Sequence, residues 1–496
     1  MRLLRVLSAL PALLVAAPVL AQGGSCPVDT YQPIQLTQAG QLIARALPVA
    51  DSVAAQKPLR DAMKFLQDDR KLASNPVGAG YIKAQIYILW LHQPGQSDVI
   101  TREKLNAGGV KTETIDLITA ADSLLKAVEA LDPSCAQETL QWRAARPWTE
   151  RINKAYKALG AEQMDSAEFY ARRSAQLYAS SPFVHNILAQ IANKKGDTPA
   201  MLAHLRAAII EAEKDTSLNE TRQQMQFQLA QTAQAWAATG GAAQKAELNK
   251  EALGLFVALL RAQPGTSGGS YAFASASELL QVAQDTAGIR ELLAPMVADP
   301  APYSDLTLLL AADLARASSR NPDAMAMYAG ALAKNPNIRD ANYFLAYMYF
   351  EAKQPERMLP LTDKLLEVDP SNGDNYLMRA YAYQLMVQAE RDPRKKAELQ
   401  KLQDEFAAKE NTLATQHKLL ITRFERREQG AALEGTIENF TRAQKTYTVK
   451  MDFLDTKGAV LETLSAEVTV KPGERGTFAL TPTRPGIVAY RYEALK

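Results

Sequence analysis

From Gln32 to about Leu413, apolar residues return every three or four positions, the spacing that gathers them on one face of a helix. Prolines punctuate this pattern at Pro264, Pro300, Pro336 and Pro370, spaced by 36, 36 and 34 residues. A period near 34 that holds two helices predicts helical hairpins, and a hairpin that cannot bury its apolar face alone must stack on its neighbours. The clearest unit runs from Asn337 to Pro370. Its first helix carries Leu345-Ala346 and Tyr349, its second ends in Leu365-Leu366, and Asp369-Pro370 stops the chain. Ala346 lets two helices approach closely while Leu345 and Tyr349 fill the space around the contact. The preceding unit repeats this arrangement through Leu310-Ala311, Leu314, Ala324, Tyr328, Ala331 and Pro336, and the following one begins Tyr376, Ala380, Tyr383.

Elsewhere the pattern is looser. Leu188-Ala189, Gly196-Asp197, Leu205 and Ala208 form one further unit, and Trp148, Ile152, Tyr156, Gly160 and Ala167 another. Helices are expected near 54–73, 81–91 and 112–131, with a loop over Gln93–Lys111 marked by Gly95, Gly108 and Gly109. Gln263–Ser270 reads as a flexible turn, and the charged stretch Arg391–Leu413 as a long helix capping the repeats. After it the period changes to two. Tyr447, Val449, Met451 and Phe453 alternate with Thr448, Lys450 and Asp452, as in a strand with one buried face. Strands are expected over 418–424, 431–439, 445–454, 459–470, 475–481 and 486–492, which together predict a small antiparallel sandwich.

The large-small-large pattern of the first helix, the alanine and aromatic of the second and the closing proline resemble the tetratricopeptide repeat family over roughly 148–384. The 337–370 unit departs from the family by placing Met358 where the second helix usually has alanine and Thr362 where it has an aromatic. The run Gly435-Thr-Ile437-Glu-Asn439, then Phe453-Leu-Asp455, then Pro472-Gly473 before Phe478, is similar to the immunoglobulin-like FxLYD-type modules of bacterial exported proteins. The expected fold is therefore mainly α: a tetratricopeptide-like α-solenoid followed by a small antiparallel β-sandwich. Four segments are expected: a signal peptide over 1–21, a divergent helical region over 22–147, repeats with a capping helix over 148–413, and the sandwich over 414–496.

Arg2 and Arg5 followed by an apolar run from Leu7 to Leu20 and Val19-Leu20-Ala21 read as an export signal cleaved near Ala21, which places the mature chain in the periplasm or another extracytoplasmic space. No later stretch is long and apolar enough to span a membrane. Export makes the two cysteines, Cys26 and Cys135, an expected disulfide. Lys and Arg number 56 against 54 acidic residues, a balance of +2 that points to neither nucleic acid nor an anionic membrane and predicts binding only mildly sensitive to salt.

Candidate chemistry is sparse. No metalloprotease, nucleophile-elbow or paired-cysteine metal motif is present, and no cofactor is expected. The nearest approach to a phosphate loop, Ala107–Thr112, lacks the glycine before its lysine and reads instead as a loop with Thr112 near a helix start. His185 and His204 sit on adjacent helices without an acidic third ligand. The resemblance to tetratricopeptide repeats supplies a sharper candidate. In that family the second, fifth, ninth and twelfth positions of the first helix line the concave groove. Here they are Asp340, Tyr343, Tyr347 and Phe350, and in the next repeat Asp374, Leu377, Tyr381 and Gln384. Exposed rings there would anchor a protein or peptide partner. Alternatively the cluster packs inside the repeat or against the 391–413 helix. The functions in view are a non-catalytic exported scaffold, an envelope-processing enzyme with its site in 27–147, or a structural subunit of an envelope assembly.

Overall fold

The computed structural model describes Cys26 and residues 32–495. The proposed signal peptide lies outside the described residues. The chain divides into two compact units between Leu229 and Ala230, inside the helix Asn219–Ala237.

In the first unit the hairpins Arg146–Gly160 with Met164–Leu177 and Pro182–Lys195 with Thr198–Ala212 follow four longer N-terminal helices. These are Ile34–Ala46, Gln56–Phe65, Pro76–Leu91 and Leu117–Leu131. The core joins Leu36, Leu59, Ile86 and Trp90 to Ile152, Ala167 and Ile187. Cys26 and Cys135 lie at disulfide distance with Cα atoms 4.4 Å apart, and the Cys26 N–H donates to the Glu138 carboxylate at 2.6 Å. One expectation is corrected here. The loop expected over Gln93–Lys111 contains β1 (Val99–Thr101), which pairs antiparallel with β2 (Thr114–Asp116) in the first residues of the helix expected over 112–131, each strand turning its central isoleucine inward. Thr112 is therefore in the turn between strands. The helix begins only at Leu117, where the Asp116 carboxylate accepts from the Thr119 N–H at 3.0 Å.

In the second unit the first helices of three successive hairpins begin at Asp305, Arg339 and Gly373, a 34-residue step. Their partners are Asn321–Lys334, Pro355–Val368 and Pro393–Gln416. Each expected closing proline sits two residues past a helix end (Ala262, Ala298, Lys334 and Val368), where it blocks continuation. The helices stack as a tetratricopeptide-like α-solenoid. Ala346 is fully buried in one cluster with Met358, Met378 and Ala382, so the long Met358 fills the volume that the family's alanine leaves to other side chains. Thr362, equally buried, accepts from the Arg379 guanidinium at 2.9 Å instead of packing as a ring.

The terminal helix runs directly into β3 (His417–Arg426), followed by β4 (Ala431–Asn439), β5 (Lys445–Leu454), β6 (Val460–Val470), β7 (Arg475–Leu480) and β8 (Ala489–Tyr492). They form two antiparallel three-stranded sheets, ordered β3-β4-β7 and β6-β5-β8. Tyr447, Val449, Met451 and Phe453 from β5 meet Leu433, Ile437 and Phe478 between the sheets, as the alternation requires. Gly430 turns β3 into β4 at φ +83°, and a Cβ there would lie 1.9 Å from the Pro482 carbonyl oxygen.

Candidate functional site

The 34-residue step sets two helix faces side by side. Arg339–Glu351 presents Asp340, Tyr343, Tyr347 and Phe350 in one row, and Gly373–Ala389 presents Asp374, Leu377, Tyr381 and Gln384 in the next. Asp340 and Asp374 each stand in a first turn, where a carboxylate favours the positive end of the helix. The structure separates the aromatics. Tyr347 is 43% exposed, whereas Tyr343, Phe350 and Tyr381 are half-buried against the cluster around Ala346 and Met378. Phe350 stacks on Tyr381 across the two helices at 5.0 Å, with the Tyr347 ring 6.5 Å from Phe350. The Arg339 guanidinium lies 4.7 Å from the Tyr343 ring centroid. Leu377 and Gln384 are half-buried and both aspartates are exposed.

The terminal helix stacks elsewhere. Its Phe406 lies 5.7 Å from Tyr383 and 6.4 Å from Tyr376, with the Arg379 guanidinium 5.6 Å from its own ring. Its ring contacts thus fall on a different stripe of Gly373–Ala389 from the one that carries Tyr381.

One repeat earlier, the positions corresponding to Tyr347 and Phe350 hold Asp313 and Arg316, which the sequence reading did not single out. The Tyr328 O–H donates to Asp313 at 2.5 Å, Arg316 Nε donates to the same phenol oxygen at 3.2 Å, and the guanidinium lies 4.1 Å from the Phe344 centroid. Burial raises the Asp313 carboxyl above its ordinary value, against the opposing pull of the Tyr328 hydrogen bond. The 34-residue offset was the signal that could have found them.

A second polar assembly was also missed. Asp369, expected only as part of a helix stop, is 5% exposed and accepts from the Tyr492 hydroxyl, from Arg339 Nε at 2.9 Å and from Asn372 Nδ2 at 2.9 Å. Burial, then the Asp369 charge, push the Tyr492 phenol far above its ordinary value. One repeat earlier, Asp305 pairs with Arg426 at 2.9 Å and accepts from Asn335 Nδ2 at 2.9 Å. Asp305 corresponds to Arg339 and Asn335 to Asp369, so equivalent positions of two repeats hold β3 and β8. Nothing short-range in the sequence announces pairings across more than a hundred residues.

In the first unit, charged side chains are engaged with one another. Arg143 pairs with Asp122 at 2.7 Å and Glu129 at 3.0 Å, while Arg151 pairs with Asp98 and Arg173 with both Asp98 and Asp116. The Ala107–Thr112 segment gives its Gly108 carbonyl to Arg102 at 2.8 Å, and Lys111 lies 3.9 Å from Glu103. The rings of His185 and His204 meet at 5.8 Å, and among the described residues no group of three metal-ligating side chains occurs. Burial lowers both imidazoles.

His92 is pushed further, to about 4, by burial and then by Arg146 and Arg151, and its Nε2 has no hydrogen-bond partner among the described residues. Because the folded value lies below the unfolded one, the unfolded chain takes up this proton first. The neutral ring's contribution is complete above the unfolded value near pH 6.5 and is lost as the pH falls towards 4, by up to about 3 kcal/mol. Urea midpoints followed across that range should decline, and His92→Gln should remove roughly one proton's share of the slope.

No family model and no curated protein matches the chain. Solved structures with similar helical arrangements include the TPR domain of P58(IPK), at 12% identity over 77% of this chain and 96% of that one, with a TM-score of 0.23. Pseudomonas aeruginosa pilF aligns at 12% identity over 53% of this chain and 89% of its own, with a TM-score of 0.19. A thermophilic TPR protein of Thermus thermophilus aligns at 17% identity over 47% of this chain and 98% of its own, with a TM-score of 0.15.

Proposed function

We propose that this chain is an exported, non-catalytic scaffold that holds a protein or peptide partner along the helix face of Asp340, Tyr343, Tyr347 and Phe350 with Asp374, Leu377, Tyr381 and Gln384. The observation that carries the reading is the exposed Tyr347 ring beside the Phe350–Tyr381 stack. A rigid aromatic with solvent on one side and a fixed apolar floor on the other offers large contact area at little entropic cost. The cysteine pair at disulfide distance supports the extracytoplasmic placement, and among the described residues no helix is long and apolar enough to cross a membrane. In this scheme 1–21 is the signal peptide, 22–147 the divergent helical region, 148–413 the repeats and 414–496 an immunoglobulin-like module.

For the enzymatic alternative, the largely buried Arg143 of 27–147 is engaged by Asp122 and Glu129, and Asp98 and Asp116 by Arg151 and Arg173 of the following hairpin, while the open concavity lined by Gln38, Gln41, Arg45, Asp61 and Lys64 holds no buried acid–base pair among the described residues. The structural-subunit alternative is favoured by one observation, the sandwich held to the repeats through Asp305 and Asp369. The two roles are compatible, since a fixed sandwich holds the last repeats in place.

A photoreactive amino acid placed at position 347 tests the binding role in cells. It should give adducts of one or a few discrete masses, while the same group at the exposed Glu356 of the following helix should give none. Equal labelling at both positions would remove the groove.

A further inference from the structure

The whole-chain balance of +2 conceals a local excess of negative charge on this face. Its rows, with the corresponding row of Asp305–Ala317, carry Asp313, Asp340 and Asp374, joined by Glu351 at the end of Arg339–Glu351. Two guanidiniums accompany them, and both are committed. Arg316 lies over Phe344 and 3.7 Å from Asp313, and Arg339 is held by Asp369 and Asp340 at 2.9 and 3.1 Å. Glu351 and Asp374 make no ion pair among the described residues, and Lys353, two residues beyond Glu351, makes none either.

Helix stability accounts for Asp374, which sits at the positive end of its helix. It does not account for Glu351, the last residue of its helix, where a carboxylate opposes the negative end. Glu351 instead stands one helical turn beyond Tyr347, the i,i+4 spacing that sets two side chains next to each other, so a carboxylate outside any ion pair adjoins the most exposed ring of the face.

We infer that the partner segment, on the groove reading given above, is cationic: an extended polypeptide that lays a lysine or arginine across Tyr347 with its charge at Glu351 or Asp374. The methylene stem covers the ring, the cation meets both the π face and a carboxylate, and an adjoining apolar residue rests on the Phe350–Tyr381 stack. An acidic segment would instead place like charges together.

A phage-displayed library of randomised short peptides, panned against the intact mature chain and its variants, tests this. The wild type should enrich peptides carrying lysine or arginine next to apolar residues. A synthetic peptide of that consensus should bind about tenfold more weakly to the Glu351→Gln/Asp374→Asn variant, and more weakly to wild type as salt rises. Melting of that variant should stay close to wild type, because both side chains are exposed and the helix-end terms oppose each other, Asp374 favouring a positive end and Glu351 opposing a negative one. A neutral or acidic consensus whose binding is abolished by Tyr347→Ala overturns the cationic inference and leaves the groove. Enrichment indifferent to Tyr347→Ala, or no enrichment, overturns the groove and the inference with it.

Discussion

Opening the Cys26–Cys135 link is expected to destabilise the first unit by on the order of 5 kcal/mol, the entropy of closing a loop between residues 109 apart. The link ties Cys26, whose N–H meets Glu138, to the short helical turn that follows Leu117–Leu131, 109 residues further along the chain. Cys26→Ser is the cleaner variant, since Cys135 is fully buried and a hydroxyl there would add a desolvation cost of its own. Urea titration of this variant should show the early transition in the first unit while the sandwich signal persists. The oxidised chain should weigh about 2 Da less than the reduced one, one hydrogen per sulfur. Two alkylatable thiols in natively isolated protein would refute the bridge.

Asp369→Ala should be nearly as damaging, at about 3–5 kcal/mol, because it strands a charge that the fold holds out of water. The Arg339 side chain is 18% exposed and its nearest other carboxylate, Asp340, is itself largely in solvent. The same change leaves the buried Tyr492 hydroxyl with only the Ser371 N–H at 3.3 Å. Tyr492→Phe removes the phenol but keeps the Arg339–Asp369 pair, so it should cost only about 1–2 kcal/mol. The ordering of the two variants is the informative result. It should be accompanied by earlier proteolysis between the terminal helix and β3 in Asp369→Ala, as the sandwich loses its hold. Equal stabilities would mean that leaving Arg339 without Asp369 costs no more than losing the phenol, against the stranded-charge argument.

The hairpins were legible because a closing proline and a small-residue contact recur every 34–36 residues, and β5 because its alternation runs from Tyr447 to Phe453. β1 and β2 were not, since three residues each are too few to establish a period and a glycine-bearing turn separates them. On the candidate face, the resemblance to tetratricopeptide repeats singled out Tyr343, Tyr347 and Phe350 as one row of the first helix. It could not reveal that Phe350 is covered by a ring from the next repeat while Tyr347 is left uncovered. Covering is a property of the neighbouring helix, and a periodicity confined to one helix does not contain it. The Asp369–Tyr492 and Asp305–Arg426 contacts were illegible for the same reason at longer range.

Tyr347→Ala, measured once for partner capture and once for thermal melting, addresses the binding face most directly. An exposed anchor predicts capture weakened by about 1–3 kcal/mol with the melting temperature almost unchanged. Intact capture together with a loss of roughly 3 kcal/mol or more in stability would show that the ring belongs to the core, and would contradict the account.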